Sequence, residues 1–184
     1  MFYMVFNDGT DSRKYNVQIE ERPSIPIAED DIDYIKVPGA DELLTKRDGF
    51  LNRTISVKFS CYHTTNLMSV IRPFISYLRS VKSFYFSDDT TVEYRVKNVV
   101  ADNVEREVKV LGKFTINFIV DPFCYYRNVS TIDAKTVNSF VNVGDYFSRP
   151  YIKITCDGTK TNQQLVINDI VLKIKTMTEY CLLY

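Results

Sequence analysis

The strongest constraint on this chain is a run of strict alternation. In Arg53-Thr54-Ile55-Ser56-Val57-Lys58-Phe59-Ser60-Cys61, apolar side chains occupy 55, 57, 59 and 61, with polar residues between them. Period two puts those four on one face of a strand and the polar set on the other. Lys113–Val120 repeats the pattern, with 114, 116, 118 and 120 facing inward. Val92–Val96 and Val104–Val110 alternate too, and the turn-like Ala101-Asp102-Asn103 between them predicts a hairpin of 92–100 with 104–110. Strands with one wet face belong to an antiparallel sheet. Aromatics at 14%, supplied by Tyr 13 and Phe 12 with no Trp, lean the same way. Met1–Phe6 is apolar, lacks a basic leader and stops at Asn7-Asp8-Gly9, so it reads as a first strand rather than a signal peptide.

One segment breaks the period. Leu67, Ile71, Phe74, Leu78 and Val81 recur at spacings of four, three, four and three, which makes a single helical stripe suited to packing on the sheet. Pro73 sits inside it and disfavours helix at Arg72. The expectation is a short turn near 66–71 and a helix from about Pro73 to Arg79. Residues 127–148 lack sustained periodicity and read as connector. Beyond them, Tyr151–Cys156, Gln164–Ile167 and Val171–Ile174 look like strands, with Asp157-Gly158 as a turn. A β-rich body therefore covers about 1–125, and a second β unit begins near 145. At its size an independent core is marginal, so it should be incomplete or lean on another body.

The 184 residues allow one large domain or two small ones. A hydrophobic fraction of 45% with 25% charged residues excludes a disordered chain. Lys+Arg 23 against Asp+Glu 23 gives a net charge of zero, which argues against stable nucleic-acid binding, where a basic excess is needed to neutralise phosphates. No run of 18 apolar residues occurs, so no membrane-spanning helix and no membrane partner is expected.

Candidate chemistry is sparse. Cys61, Cys124, Cys156 and Cys181 are irregularly spaced with no C-x-x-C pair, and read as separate thiols. His63, the single histidine, shares strand parity with Cys61, so a Cys–His dyad is conceivable. Cys61 ends an inward-facing alternation, however, which favours a structural role. The acidic run Glu29-Asp30-Asp31-Ile32-Asp33 lacks the calcium-loop spacing and reads as solvated loop carboxylates. Asn7-Asp8-Gly9-Thr10-Asp11 and Asp88-Asp89 read as turns. Phosphate-loop, dinucleotide, zinc-protease and nucleophile-elbow motifs are absent. No catalytic, cofactor-binding or metal-ligating residue is assigned, and neither a cofactor nor an enzymatic activity is expected.

Four ordered segments resemble the distal tail protein family of siphophages that infect Gram-positive bacteria. The first is Glu20-Glu21-Arg22-Pro23-Ser24-Ile25-Pro26 with Tyr34-Ile35-Lys36-Val37-Pro38-Gly39-Ala40-Asp41, similar to the family's "RP…P…VPGRDG" stretch. The others are Asn52–Phe59, Phe84–Asp89 with Tyr94-Arg95 after it, and Gly112–Phe118 running into Asp121-Pro122-Phe123-Cys124-Tyr125. Asn142–Pro150 resembles the opening of the family's second domain. Each segment also has a physical role. Pro38-Gly39 is a turn, Asp121-Pro122 ends a strand, and Phe123, Tyr125 and Tyr126 cap the sheet.

The resemblance implies a mainly β protein. Residues 1–126 would form an antiparallel β-sandwich or barrel-like ring-forming domain with one short helix. Residues 127–144 would be a linker, and 145–184 the start of a galectin-like β domain that is cut short at Tyr180–Tyr184. The implied function is a hexameric hub ring in the tail tip of a phage or prophage. Its partners would be itself as a homo-hexamer, the tail tube protein, the tail-tip or tail-associated protein, and receptor-binding or baseplate proteins. It would reside in the virion after assembly in the bacterial host cytoplasm. DNA passes through such a ring, so a neutral or acidic lumen, lined by members of the Glu29–Asp33 run, is expected. The alternatives are a carbohydrate-binding module acting in host attachment and a cysteine hydrolase using Cys61 and His63.

Overall fold

A computed structural model describes residues 2–39, 41–63, 66–102, 105–108, 111–128, 141–147, 152–155, 158–167, 170–177 and 180–183. The chain divides into two compact units, Met1–Thr131 and Ile132–Tyr184.

The first unit begins with β1 (Met4–Phe6), a 3-10 turn at Ser12–Tyr15, β2 (Val17–Ile19), β3 (Asp30–Lys36), β4 (Leu43–Phe50) and β5 (Arg53–Tyr62). It continues through α1 (Met68–Leu78), β6 (Ser83–Phe86), β7 (Asp89–Ala101), β8 (Glu105–Val108), β9 (Leu111–Val120) and β10 (Tyr125–Tyr126). Eight of these strands form one antiparallel sheet in the order β1-β6-β7-β9-β5-β2, with β10 beside β7 and β8 beside β9. The sheet curls into a half-barrel, and the protein is mainly β, as the alternation requires.

The two alternating runs form the sheet's centre. β5 and β9 pair along their whole length, from Arg53↔Val120 to Tyr62↔Leu111. Ile55, Val57, Phe59 and Cys61 are buried, opposite buried Phe118, Ile116 and Phe114 and the Cβ-free Gly112. On the wet face Ser56 Oγ donates to Asn117 Oδ1 at 2.7 Å, and Asn117 Nδ2 donates to Asp102 Oδ2 at 3.1 Å. One face is dry and the other hydrogen-bonded, so the register of this pair cannot slip by one residue without burying polar groups.

α1 closes the concave face. All five stripe residues, Leu67, Ile71, Phe74, Leu78 and Val81, are buried. The boundary differs from the sequence expectation: one continuous helix runs Met68–Leu78 with Pro73 inside it. Proline there deprives the Ser69 carbonyl of its helical donor, a loss of about 3 kcal/mol in an interior helix. Ser69 is exposed, so water can satisfy that carbonyl. Burial of Ile71, Phe74 and Leu78, roughly 1.5–3 kcal/mol each, outweighs the loss. The Phe74 ring meets Phe59 at 5.3 Å, Tyr15 at 5.4 Å, Phe114 at 6.3 Å and Phe6 at 6.4 Å, which ties helix, 3-10 turn and both central strands together. At the start of the helix, Asn66 Oδ1 accepts from the Met68 N–H at 3.1 Å.

A second expectation is corrected. β7 and β8 do not pair as a hairpin; both lie against β9. Val96–Ala101 pairs with Val120–Ile116, and Glu105–Val108 pairs with Lys113–Leu111. Just after β7 the Asp102 N–H donates to the Thr115 carbonyl at 2.9 Å. β9 is ten residues long, so the edge away from β5 accommodates the end of β7 at residues 116–120 and β8 at 111–113.

The N-terminal strand and the Asn7–Asp11 turn form as expected; Asp89 of the expected Asp88-Asp89 turn begins β7, and Asp157 of the expected Asp157-Gly158 turn lies outside the described residues. β1 pairs with β6 (Met4↔Phe86), and Gly9 takes φ +79 in the following turn, where Asp8 Oδ1 accepts from the Thr10 N–H at 2.9 Å. Asp121 follows β9, and β10 then pairs Tyr125↔Glu93 and Tyr126↔Val92.

The second unit contains β11 (Ile152–Thr155), β12 (Lys160–Ile167), β13 (Ile170–Met177) and β14 (Tyr180–Leu183). β12 and β13 form an antiparallel hairpin from Lys160↔Met177 to Ile167↔Ile170, and β11 pairs antiparallel with β14. The strands expected near 151–156, 164–167 and 171–174 are thus present. Most of the expected connector, 129–140 and 148, lies outside the described residues.

Candidate assembly surface

Cys61 and His63 are each held in a structural contact. Cys61 is buried, its Sγ–H donates to the Gly112 carbonyl at 3.8 Å, and burial raises its thiol pKa. A nucleophilic cysteine needs the opposite, a stabilised thiolate open to substrate. His63 Nδ1 accepts from the Asn66 N–H at 3.0 Å, which places the imidazole at the start of α1 as a structural acceptor. Among the described residues no group of three or more His, Cys, Asp or Glu is placed to hold a metal ion.

An open groove of about 620 Å³ lies on the wet face of the sheet, with Glu20, Lys58, Asp102 and Lys113 on its walls. Its lysines are paired, Lys58 Nζ to Glu21 at 2.7 Å and Lys113 Nζ to Glu20 at 3.4 Å, and Asp102 accepts from the Asn117 amide. Asp121, largely buried, takes Lys97 Nζ at 3.0 Å and the Tyr125 hydroxyl at 3.1 Å, while the Arg95 guanidinium stacks 3.7 Å from the Tyr125 ring centre. This network locks β10 onto β7.

The feature that stands apart is a β-arm. β3 and β4 form their own two-stranded antiparallel sheet, from Asp30↔Phe50 to Lys36↔Leu43, joined by the expected Pro38-Gly39 turn with Gly39 at φ +84. Asp30–Asp33 of the acidic run is therefore strand, not loop, which corrects the sequence reading. Asp30 accepts from the Arg47 guanidinium, and Asp33 stands opposite Lys46. The register shifts between Asp31 and Ile32, beside Gly49 at φ +134, a conformation that favours glycine. At its root the arm is held by Phe50 edge-on to Phe123 at 4.8 Å and by the Leu51 N–H donating to the Glu29 carbonyl at 2.8 Å.

Neither face of the arm is covered. Tyr34 is 66% exposed, Leu44 61%, Leu43 54% and Ile35 48%, and Ile35 sits directly across from Leu44. A two-stranded hairpin alone is marginal in water, and grouped exposed apolar side chains mark interaction sites. Sequence reasoning missed this element because its alternation signal exists only when one face is buried. The Pro38-Gly39 turn, flanked by Tyr34-Ile35 and Leu43-Leu44, was the available clue.

A curled antiparallel sheet, one helix across its concave face and an uncovered β-arm define the fold class among the described residues. No protein-family model and no curated protein matches the sequence. Among solved structures the chain is similar to the Dit protein (gp 19.1) of phage SPP1, described as a paradigm of the hub adsorption apparatus in phages infecting Gram-positive bacteria. The match has a TM-score of 0.51 at 16% sequence identity and covers 91% of this chain and 58% of that one. At this identity the likeness is one of fold, and the chain spans little more than half of the SPP1 protein.

Proposed function

We propose that this protein is a non-enzymatic structural component of a phage or prophage tail tip: a hexameric hub ring that joins the tail tube to tail-tip and receptor-binding proteins. The observation that carries the reading is the fold shared with the SPP1 hub protein over 91% of the chain. The ordered resemblance of residues 20–126 to distal tail proteins supports it independently, because that resemblance rests on residues and not on coordinates. The uncovered arm supports a role that is completed by other chains. In this reading the ring is built by residues 1–126, 127–144 link it outward, and 145–184 open a galectin-like domain that holds attachment proteins.

A closed ring needs two different complementary faces on each protomer. Light scattering of the purified chain after gel filtration tests the proposal. A mass of six chains is expected, and a monomer at high concentration, alone and beside tail partners, would overturn it.

A further inference from the structure

We infer that the β-arm of one copy docks on the basic outer face of α1 in a neighbouring copy, so that this pair of surfaces is the ring contact. The inference rests on the ring reading above and names the two faces that reading requires. The arm has seven acidic side chains between Glu29 and Asp48 against three basic ones, Lys36, Lys46 and Arg47, a net charge of −4. Asp30 is matched within the arm by Arg47, whereas Glu29 and Asp31 have no ion-pair partner among the described residues.

The complementary surface is equally one-sided. From Gly49 to Ser87 the chain has five basic residues and no acidic one. Three of them, Arg72, Arg79 and Lys82, are exposed on and just after α1, and none makes an ion pair among the described residues. Arg72 and Arg79 are seven residues apart and share one helical stripe with Ser76, next to the buried stripe that faces the sheet. The chain as a whole is neutral, so a strongly acidic arm and a basic helix face within one unit are an asymmetry of placement, not of composition. Surfaces of opposite sign steer association and fix its orientation, while apolar side chains supply the area. Ile35 and its cross-strand partner Leu44, which share a face of the arm with Asp31 and Asp33, supply that area.

The arrangement is heterologous. The arm of each copy reaches a different surface on the next, and such contacts generate a ring where the rotation closes. It also takes the acidic run into a protein contact in place of the channel wall expected from sequence.

The test uses the full chain. Two reversal variants, Glu29→Lys with Asp31→Lys and Arg72→Glu with Arg79→Glu, alter exposed residues only, and their circular dichroism should match the parent. Native mass spectrometry is expected to show loss of the hexamer in each variant and its recovery when the two are mixed. A photo-crosslinking residue at Ile35, with an equimolar mixture of light and heavy-isotope chains, should join position 35 to the 67–82 segment of the other isotope. A parent hexamer that survives both reversals, or crosslinks elsewhere, overturns the docking inference and leaves the ring reading standing. A parent that is monomeric throughout overturns both.

Discussion

Phe74→Ala probes how the sheet and helix hold together. The side chain is fully buried and its ring meets four others, Phe6, Tyr15, Phe59 and Phe114, at centroid distances from 5.3 to 6.4 Å. Truncating a buried phenylalanine costs about 3–5 kcal/mol, the transfer of the ring plus the cavity left behind. Aromatic pairs add about 0.5–1.5 kcal/mol each beyond area, though not additively. The neighbours are rings on separate elements and cannot collapse easily into the gap, so the upper part of the range applies, about 4–5 kcal/mol. That is about a quarter or more of the ~5–15 kcal/mol that holds a typical domain together. For a unit of this size the melting temperature should drop by roughly 15–20 °C. Urea unfolding followed by circular dichroism should show a lower midpoint with an unchanged slope. A loss below ~1.5 kcal/mol would refute the claim that α1 and the central strands share one core through this ring.

Two other consequences are independent of assembly. A Cβ on Gly112 would clash with Leu67 Cδ2, so Gly112→Ala should cost about 1–3 kcal/mol by overpacking. Adding Leu67→Ala should then cost less than it does in the parent, and strict additivity in the double-mutant cycle would count against the contact. With Cys156 and Cys181 replaced by serine, a thiol reagent at pH 8 should label exposed Cys124 quickly and Cys61 only on unfolding. Rapid labelling of Cys61 in the folded protein would revive the cysteine-hydrolase alternative.

What the sequence revealed follows from which surfaces are buried. β5 and β9 were legible because each has one dry face, so Ile55, Val57 and Phe59 and their partners Phe118, Ile116 and Phe114 alternate without exception. The helix stripe was legible for the same reason, and only its start was misplaced, since burial of Ile71 overrides the local preference set by Pro73. Pairing partners are not written in alternation, which is why β8 was assigned to β7 and not to β9. The arm escaped because both of its faces are wet, and the basic face of α1 has no motif at all. Arg72 and Arg79 become notable only beside an acidic, uncovered surface elsewhere in the same unit.

The central claim is that copies of this chain close into a hub ring. Negative-stain electron microscopy of the purified protein, alone and mixed with a phage tail-tube protein, tests it most directly. The account predicts sixfold ring views with a central channel; single-chain particles under both conditions would contradict it.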